Sequence, residues 1–205
     1  LKNHVSFSSS SLKSLESKRI IEIKIFQEDR NIENNFNNKK KIVLSKTQSK
    51  VLKQICSEFE NKDVVLLEGV TSSGKTEIYL KLIEKYLNEN KQVLYLLPEI
   101  SLTTQIIQKL KNSFGNKVYV FHSRHSIHER TEVWKNVEEN KKNPQVIIGA
   151  RSSLFLPFNN LGLIVIDEEH ENSYKQQEPS PRYHARDSSI VLSRLHKSKI
   201  ILGSA

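Results

Sequence analysis

The residues Gly69-Val70-Thr71-Ser72-Ser73-Gly74-Lys75-Thr76 spell G-x-x-x-x-G-K-T. Residue types at this spacing can hold a chain of phosphates. The glycines let the backbone curl so that successive N–H groups converge on phosphate oxygens. The lysine reaches the β- and γ-phosphates, and the threonine hydroxyl can ligate magnesium. A second group of reactive residues, Asp167-Glu168-Glu169-His170, follows some ninety positions later. Two adjacent acids divide the work in such a site: Asp167 is expected to hold magnesium through water, and Glu168 to polarise the attacking water. Together the two segments predict a site for a nucleoside triphosphate, with ATP and magnesium as its ligands.

Such residues work only if the chain delivers them. The apolar run Val64-Val65-Leu66-Leu67 reads as the strand that feeds the loop. Glu77 to Asn90 reads as the helix that starts at its end and turns its positive pole to the phosphates. Leu161 to Ile166 reads as a buried strand that carries the acids to its C-terminal end. From Ser45 onward such patterns alternate. Strands are expected at 64–68, 93–97, 118–121, 145–148, 162–166 and 199–202, and helices near 46–60, 75–89, 102–113, 127–140 and 187–197. Continuously apolar strands between helices argue an α/β fold: a mainly parallel sheet, covered by helices on both faces, with ligands at the strand C-termini.

Upstream, Ser8 to Lys18 is a short helix candidate and Arg19 to Phe26 an alternating, β-rich run, so residues 1–28 read as the end of a preceding domain. Residues 29–44, polar and rich in Asn and Lys, read as a linker, and residues 45–205 as the α/β domain. The first residue is Leu and the last is Ala205, directly after an apolar run, as expected of a piece of something longer.

The net charge is +9, and residues 1–53, with 12 Lys/Arg against 5 Asp/Glu, hold +7 of it. A basic arm suits nucleic acid, while a lysine- and asparagine-rich composition accounts for it equally well. The single cysteine, Cys56, falls on an apolar helix face and is expected to be a core thiol; one cysteine excludes a disulfide framework and a cysteine-rich zinc site. No run of about 18 apolar residues exists to span a membrane. A cytoplasmic location is expected.

D-E-x-H after a buried strand resembles the superfamily 2 helicases and translocases. LLPEISLT (residues 96–103) and GARSSLFLP (149–157) are similar to their motifs that contact the nucleic-acid backbone, and Gly203-Ser204-Ala205 to the opening of the S-A-T motif. GVTSSGKTEIY, VFHSRHS, GARSSLFLPF, DEEHENSYKQQE and RYHARD together resemble the PriA family, the primosomal replication-restart DNA helicases of bacteria, over residues 45–205. The resemblance implies that 45–205 is a RecA-like P-loop NTPase lobe, truncated at the S-A-T motif, and it is weakly consistent with a winged-helix end before it. It implies an ATP-dependent DNA helicase moving 3′-to-5′ at stalled forks. The implied partners are single-stranded and forked DNA, other primosome proteins and single-strand-binding protein, with zinc only in a second lobe. Another superfamily 2 translocase, or a non-enzymatic nucleic-acid-binding domain with a vestigial ATP site, remains the alternative. On its own the chain is expected to bind ATP weakly and turn over poorly.

The resemblance also assigns individual roles. His170 is implied to couple the γ-phosphate side to nucleic acid, and Thr103 and Arg151 are candidates for backbone phosphates, which set register rather than sequence. Asn172 to Asp187 interleaves aromatics and cations in a long loop; Tyr174, Lys175, Arg182, Tyr183 and Arg186 are its candidate DNA and coupling contacts. Gln48 stays open between an adenine contact, as the resemblance implies, and a capping box with Ser45. Ser101 is expected to cap a helix, and Glu169 to be solvated without chemistry. His122, His125 and His128 suggest a metal, but a capping box at Ser126–Glu129 would start the helix after the first two, so a shared ligand face is not expected.

Overall fold

The computed structural model describes residues 14–15, 17–18, 42–70, 73–98, 101, 103–123, 125–139 and 143–204. The chain divides into two compact units, Leu1–Asn34 and Asn35–Ala205. In the first, the Lys18 N–H and the Ser17 hydroxyl both donate to the Ser14 carbonyl. The expected strand at 19–26 and most of the expected linker lie outside the described residues.

The first helix of the second unit begins where its sequence supplies a start. Ser45 and Gln48 form the capping box: the Ser45 hydroxyl accepts from the Gln48 N–H at 3.2 Å, and Gln48 Oε1 accepts from the Ser45 N–H at 2.8 Å. Helix α1, Lys46–Asn61, follows and buries Ile55 and Phe59. Then come β1 (Val64–Glu68), α2 (Lys75–Asn88), β2 (Gln92–Leu96), α3 (Thr104–Phe114), β3 (Val118–Phe121), α4 (Ile127–Glu139), β4 (Val146–Gly149) and β5 (Leu161–Ile166). The short β6 (Lys175–Gln176) and β7 (Tyr183–His184) pair antiparallel, and α5 (Ala185–His196) and β8 (Lys199–Ser204) close the unit.

The six long strands form one wholly parallel sheet in the order β1-β8-β5-β2-β4-β3. Period-two alternation sends successive side chains to opposite faces. Val93, Tyr95, Leu163, Val165 and Ile201 meet Phe59, Leu82, Ile83 and Leu110 of α1, α2 and α3. Leu94, Leu96, Ile164, Ile166 and Ile200 meet Val137 of α4 and Ala185 of α5. Both faces are therefore dry, which is why the central strands read as unbroken apolar runs.

The strands and most helices lie within two residues of their expected bounds, with instructive departures. Helix α3 starts at Thr104 with Thr103 as its extended N-cap, so Ser101 is not the cap; it sits in a preceding turn whose N–H donates to the Pro98 carbonyl. The 172–187 stretch is not a structureless loop: a 3-10 turn (Asn172–Tyr174), the β6–β7 hairpin and the first turn of α5 occupy it. Gln176 Nε2 donates to the carbonyls of Pro179 and Pro181 and closes the hairpin tip. Cys56 packs against the core but is only half-buried.

Candidate nucleotide and nucleic-acid site

The sheet order decides what meets the phosphate loop. Strand β8 lies between β1 and β5, so the loop after β1 and the acids after β5 flank the end of one intervening strand. The Gly69 N–H donates to the Ser204 carbonyl at 3.1 Å, and the Glu169 N–H to the Gly203 carbonyl at 2.8 Å. The end of β8 thus ties the two halves together.

Gly74 is left-handed, with φ of +85°, and a Cβ placed there would lie 2.2 Å from Gln48 Nε2. A Cβ on Gly69 would lie 3.0 Å from Ser73 Oγ. Gly74 thus has a backbone conformation that disfavours a side chain, and Gly69 is closely packed against Ser73, which keeps the backbone there open to phosphate oxygens. Lys75, at the N-terminus of α2, donates to the carbonyls of Gly69 and Ser204. Its ammonium therefore sits over the mouth of the loop, where the helix pole adds to its charge. Thr76 follows in the first turn of α2. Val70, Ser73 and Gly74 are in place, whereas Thr71 and Ser72 lie outside the described residues. These features fit a magnesium–triphosphate ligand.

Asp167 is the most constrained residue here. Its Oδ1 accepts from the Tyr79 hydroxyl at 3.2 Å and from the Glu168 N–H at 3.1 Å; its Oδ2 accepts from the Tyr95 hydroxyl at 3.4 Å. Its carbonyl accepts from the Tyr174 hydroxyl at 2.6 Å. Burial pushes the carboxyl above its ordinary pKa; the Tyr79 and Glu168 N–H bonds and the Lys75 charge pull the other way, and the Glu168 charge adds to the rise. Burial and the neighbouring Asp167 charge push Tyr79, Tyr95 and Tyr174 far above the usual phenol range, so all three stay protonated donors.

Glu168 has φ of +50°, a left-handed conformation that is strained for a residue with a side chain. Bonds hold it on three sides: its N–H to Asp167, its carbonyl from the Glu171 N–H at 2.9 Å, and its Oε2 from the Ser101 hydroxyl at 3.1 Å. The contact from Ser101 crosses from the turn after β2, the strand next to β5. His170 is exposed, with Nδ1 3.4 Å from Ser204 Oγ.

Gln48 does two things at once. Beside its capping box, its Nε2 donates to the Gly74 carbonyl at 3.2 Å, so α1 braces the phosphate loop. Glu169 is not a free solvated acid: Arg186 Nη1 lies 2.8 Å from its Oε2, and the Glu169 side chain is only 15% exposed. Arg186 also pairs with Asp187 at 3.0 Å. The Ser126–Glu129 capping box forms, and α4 starts after it at Ile127, with His122 and His125 ahead of the helix.

The residues expected at nucleic acid divide into two groups. Tyr174 is 1% exposed, and its hydroxyl also donates to the Leu96 carbonyl at 3.1 Å. A ring buried in that way cannot stack on a base, so the stacking expectation for Tyr174 is corrected: it anchors the segment to the acids. Arg151 Nη1 donates to the Ser173 carbonyl at 2.8 Å and braces the same turn. Thr103, Lys175 and Arg182 are exposed, and Tyr183 is half-buried, edge-on to the 62%-exposed Phe155 with centroids 5.1 Å apart.

The pattern of residues alone pointed to neither Tyr79, Tyr95 nor Ser101 as parts of the site, and it offered Gly203 only within the stretch similar to the S-A-T motif. Tyr79 and Tyr95 carry the spacing of core positions, and Ser101 that of a helix start. A neighbour relation between β2, β5 and α2 was the missing signal.

Comparison with known proteins agrees with this geometry. Residues 45–205 match the DEAD/DEAH box helicase model. The chain is 50% identical over 142 residues to replication restart protein PriA of Bacillus subtilis (strain 168), covering 69% of this chain and 17% of that protein. It is 44% identical over 169 residues to PriA of Haemophilus influenzae, covering 82% and 23%. The chain thus spans roughly a fifth of the length of these relatives. Among solved structures, RecG bound to a three-way DNA junction superposes with a TM-score of 0.59 at 18% identity over 95% of this chain and 25% of that one. The helicase MrfA bound to DNA gives 0.57 at 21% identity over 89% and 27%. At such identities these two structures speak for the RecA-like fold.

Proposed function

The chain belongs to the DEAD/DEAH box helicase family, and from that membership we propose that it is the ATP-binding lobe of a DNA helicase that restarts replication, as its PriA relatives are named for doing. The carrying observation is the convergence of Lys75, Asp167 and Glu168 around the end of β8.

The residues divide the chemistry as follows. The loop N–H groups of Gly69 to Gly74 and the Lys75 ammonium bind and orient the phosphates. Thr76 and Asp167 would hold magnesium, which when bound neutralises phosphate charge. Glu168 takes the proton of the attacking water at Oε1 or Oε2, and Ser101 keeps that carboxylate turned toward the site. Gln48 meets adenine while it caps α1 and braces the loop. His170, through Ser204, links the acids to the end of β8, which also carries the Lys75 bond.

Thr103, Lys175, Arg182 and Tyr183 contact single-stranded or forked DNA. Arg151, Tyr174 and Arg186 act behind them, joining the DNA-facing segment to the acids. The finer readings are proposals of the same kind: 3′-to-5′ movement, contact with other primosome proteins and single-strand-binding protein, zinc in a second lobe, and action in the cytoplasm.

The test is ATP hydrolysis by the helicase containing this lobe, measured with forked DNA, single-stranded DNA and RNA of matched length. Stimulation by DNA, strongest with forks, is expected. Stimulation by RNA alone, or none by any polymer, overturns the proposal.

A further inference from the structure

Asp167 accepts three donors on its two carboxylate oxygens. An ionised carboxylate has about four lone-pair sites on its two oxygens. Oδ1 accepts from Tyr79 and from the Glu168 N–H, which occupies both of its sites. Oδ2 accepts from Tyr95, which leaves one. The two phenols are themselves fixed: both are fully buried, and their rings meet edge-to-face with centroids 5.9 Å apart at 71°. Tyr79 comes from α2, one turn after Lys75, and Tyr95 from β2.

Gly203 completes the arrangement. A Cβ there would lie 1.9 Å from the Tyr79 hydroxyl and 2.9 Å from Asp167 Oδ1. A glycine on β8 is what admits the phenol to the carboxylate. At 3.2 and 3.4 Å the phenol contacts are longer than the usual O–H···O distance, so each is weak and the two orient the carboxylate together.

We propose that Tyr79 and Tyr95 are positioning residues that fix the Asp167 carboxylate so that one Oδ2 lone pair faces the magnesium site. This rests on the assignment of Asp167 as the magnesium-holding acid. A carboxylate limited in this way suits magnesium, which demands octahedral geometry, keeps its waters and takes few protein oxygens. It suits calcium less, because calcium can also take both oxygens of one carboxylate in its flexible shell. The tyrosines therefore set both the strength and the choice of metal.

The experiment is titration of a fluorescent ATP analogue into the 205-residue chain, with magnesium, with calcium and with neither, for the unaltered protein, Tyr79→Phe and Tyr95→Phe. Each substitution keeps the ring and its packing and removes one hydroxyl. The expected result is that nucleotide binding without metal is unchanged. Half-maximal binding should then need about tenfold more magnesium, the loss typical when a group that orients a metal ligand is removed. The preference for magnesium over calcium should narrow in step.

Thermal melting identifies a variant that fails to fold, and the other variant then carries the test. If the unaltered chain shows magnesium-dependent binding and the folded variants match it in both metals, the positioning role falls while the assignment of Asp167 stands. If metal-free binding drops as much as metal-dependent binding, the tyrosines are structural and the proposal falls. If the unaltered chain binds nucleotide without regard to magnesium, the assignment of Asp167 falls and the proposal with it.

Discussion

Lys75 and Glu168 stand on opposite sides of the β8 end, and their roles separate cleanly. Lys75 supplies charge to phosphates that are present before any bond breaks, so Lys75→Ala should lose nucleotide binding. Glu168 acts on the attacking water, so Glu168→Gln should bind ATP and stop turnover by at least about a hundredfold. Equal loss of binding in both, measured by equilibrium titration, contradicts these roles. Asp167 is a different case, because its charge is buried at a cost in stability. Asp167→Asn should melt at or above the temperature of the parent while magnesium-dependent binding disappears; a large fall in melting temperature would show that the ionised form stabilises the fold. Gln48 tests a double role. If it reads adenine, Gln48→Ala should lose the preference for ATP over GTP, and Ser45→Ala, which removes the Ser45 hydroxyl and leaves the Gln48 side chain in the protein, should keep it. Loss of the preference in both would make Gln48 a brace for the loop and nothing more.

Among the elements, α1 and the 172–187 segment do the least expected work. The Ser45 cap closes a helix whose Gln48 reaches Gly74, so the cap bears on the phosphate loop as well as on α1. Ser45→Ala should cost about 1 kcal/mol, or about 2–4 °C in melting temperature for a domain of this size; an unchanged transition would mean that the box forms only weakly. The segment after the acids stands out in the sequence because aromatics and cations cluster there without helical spacing. Its form was not legible there. Tyr174 and Tyr183 are alike in composition, yet one is buried under Asp167 and the other lies beside exposed Phe155. Which aromatic faces inward depends on the turn at 172–174 and on Arg151, 22 residues away, holding the Ser173 carbonyl. Ser101 was misplaced for a related reason. Its local pattern fits a cap, and only the adjacency of β2 and β5 turns its hydroxyl to Glu168.

At the scale of the whole molecule, the lobe offers its phosphate loop, acids and exposed cations from one end of a single parallel sheet. The 205-residue chain alone should bind ATP weakly and show little DNA-stimulated hydrolysis, since it spans roughly a fifth of its PriA relatives and helicase turnover needs a second surface to close on the nucleotide. Robust DNA-stimulated turnover by this chain alone would overturn that expectation. The sequence by itself determined the phosphate loop, the paired acids, the strand and helix periodicities and therefore the α/β lobe, because each of these is written in residues close together in the chain. Only the tertiary structure decided the rest. The insertion of β8 between β1 and β5, the two phenols on the Asp167 carboxylate, the contact of Ser101 with Glu168 and the pairing of Arg186 with Glu169 join positions 17 to 136 residues apart. Strand order sets those distances, and it follows from the packing of both faces of the sheet together rather than from any local run of residues.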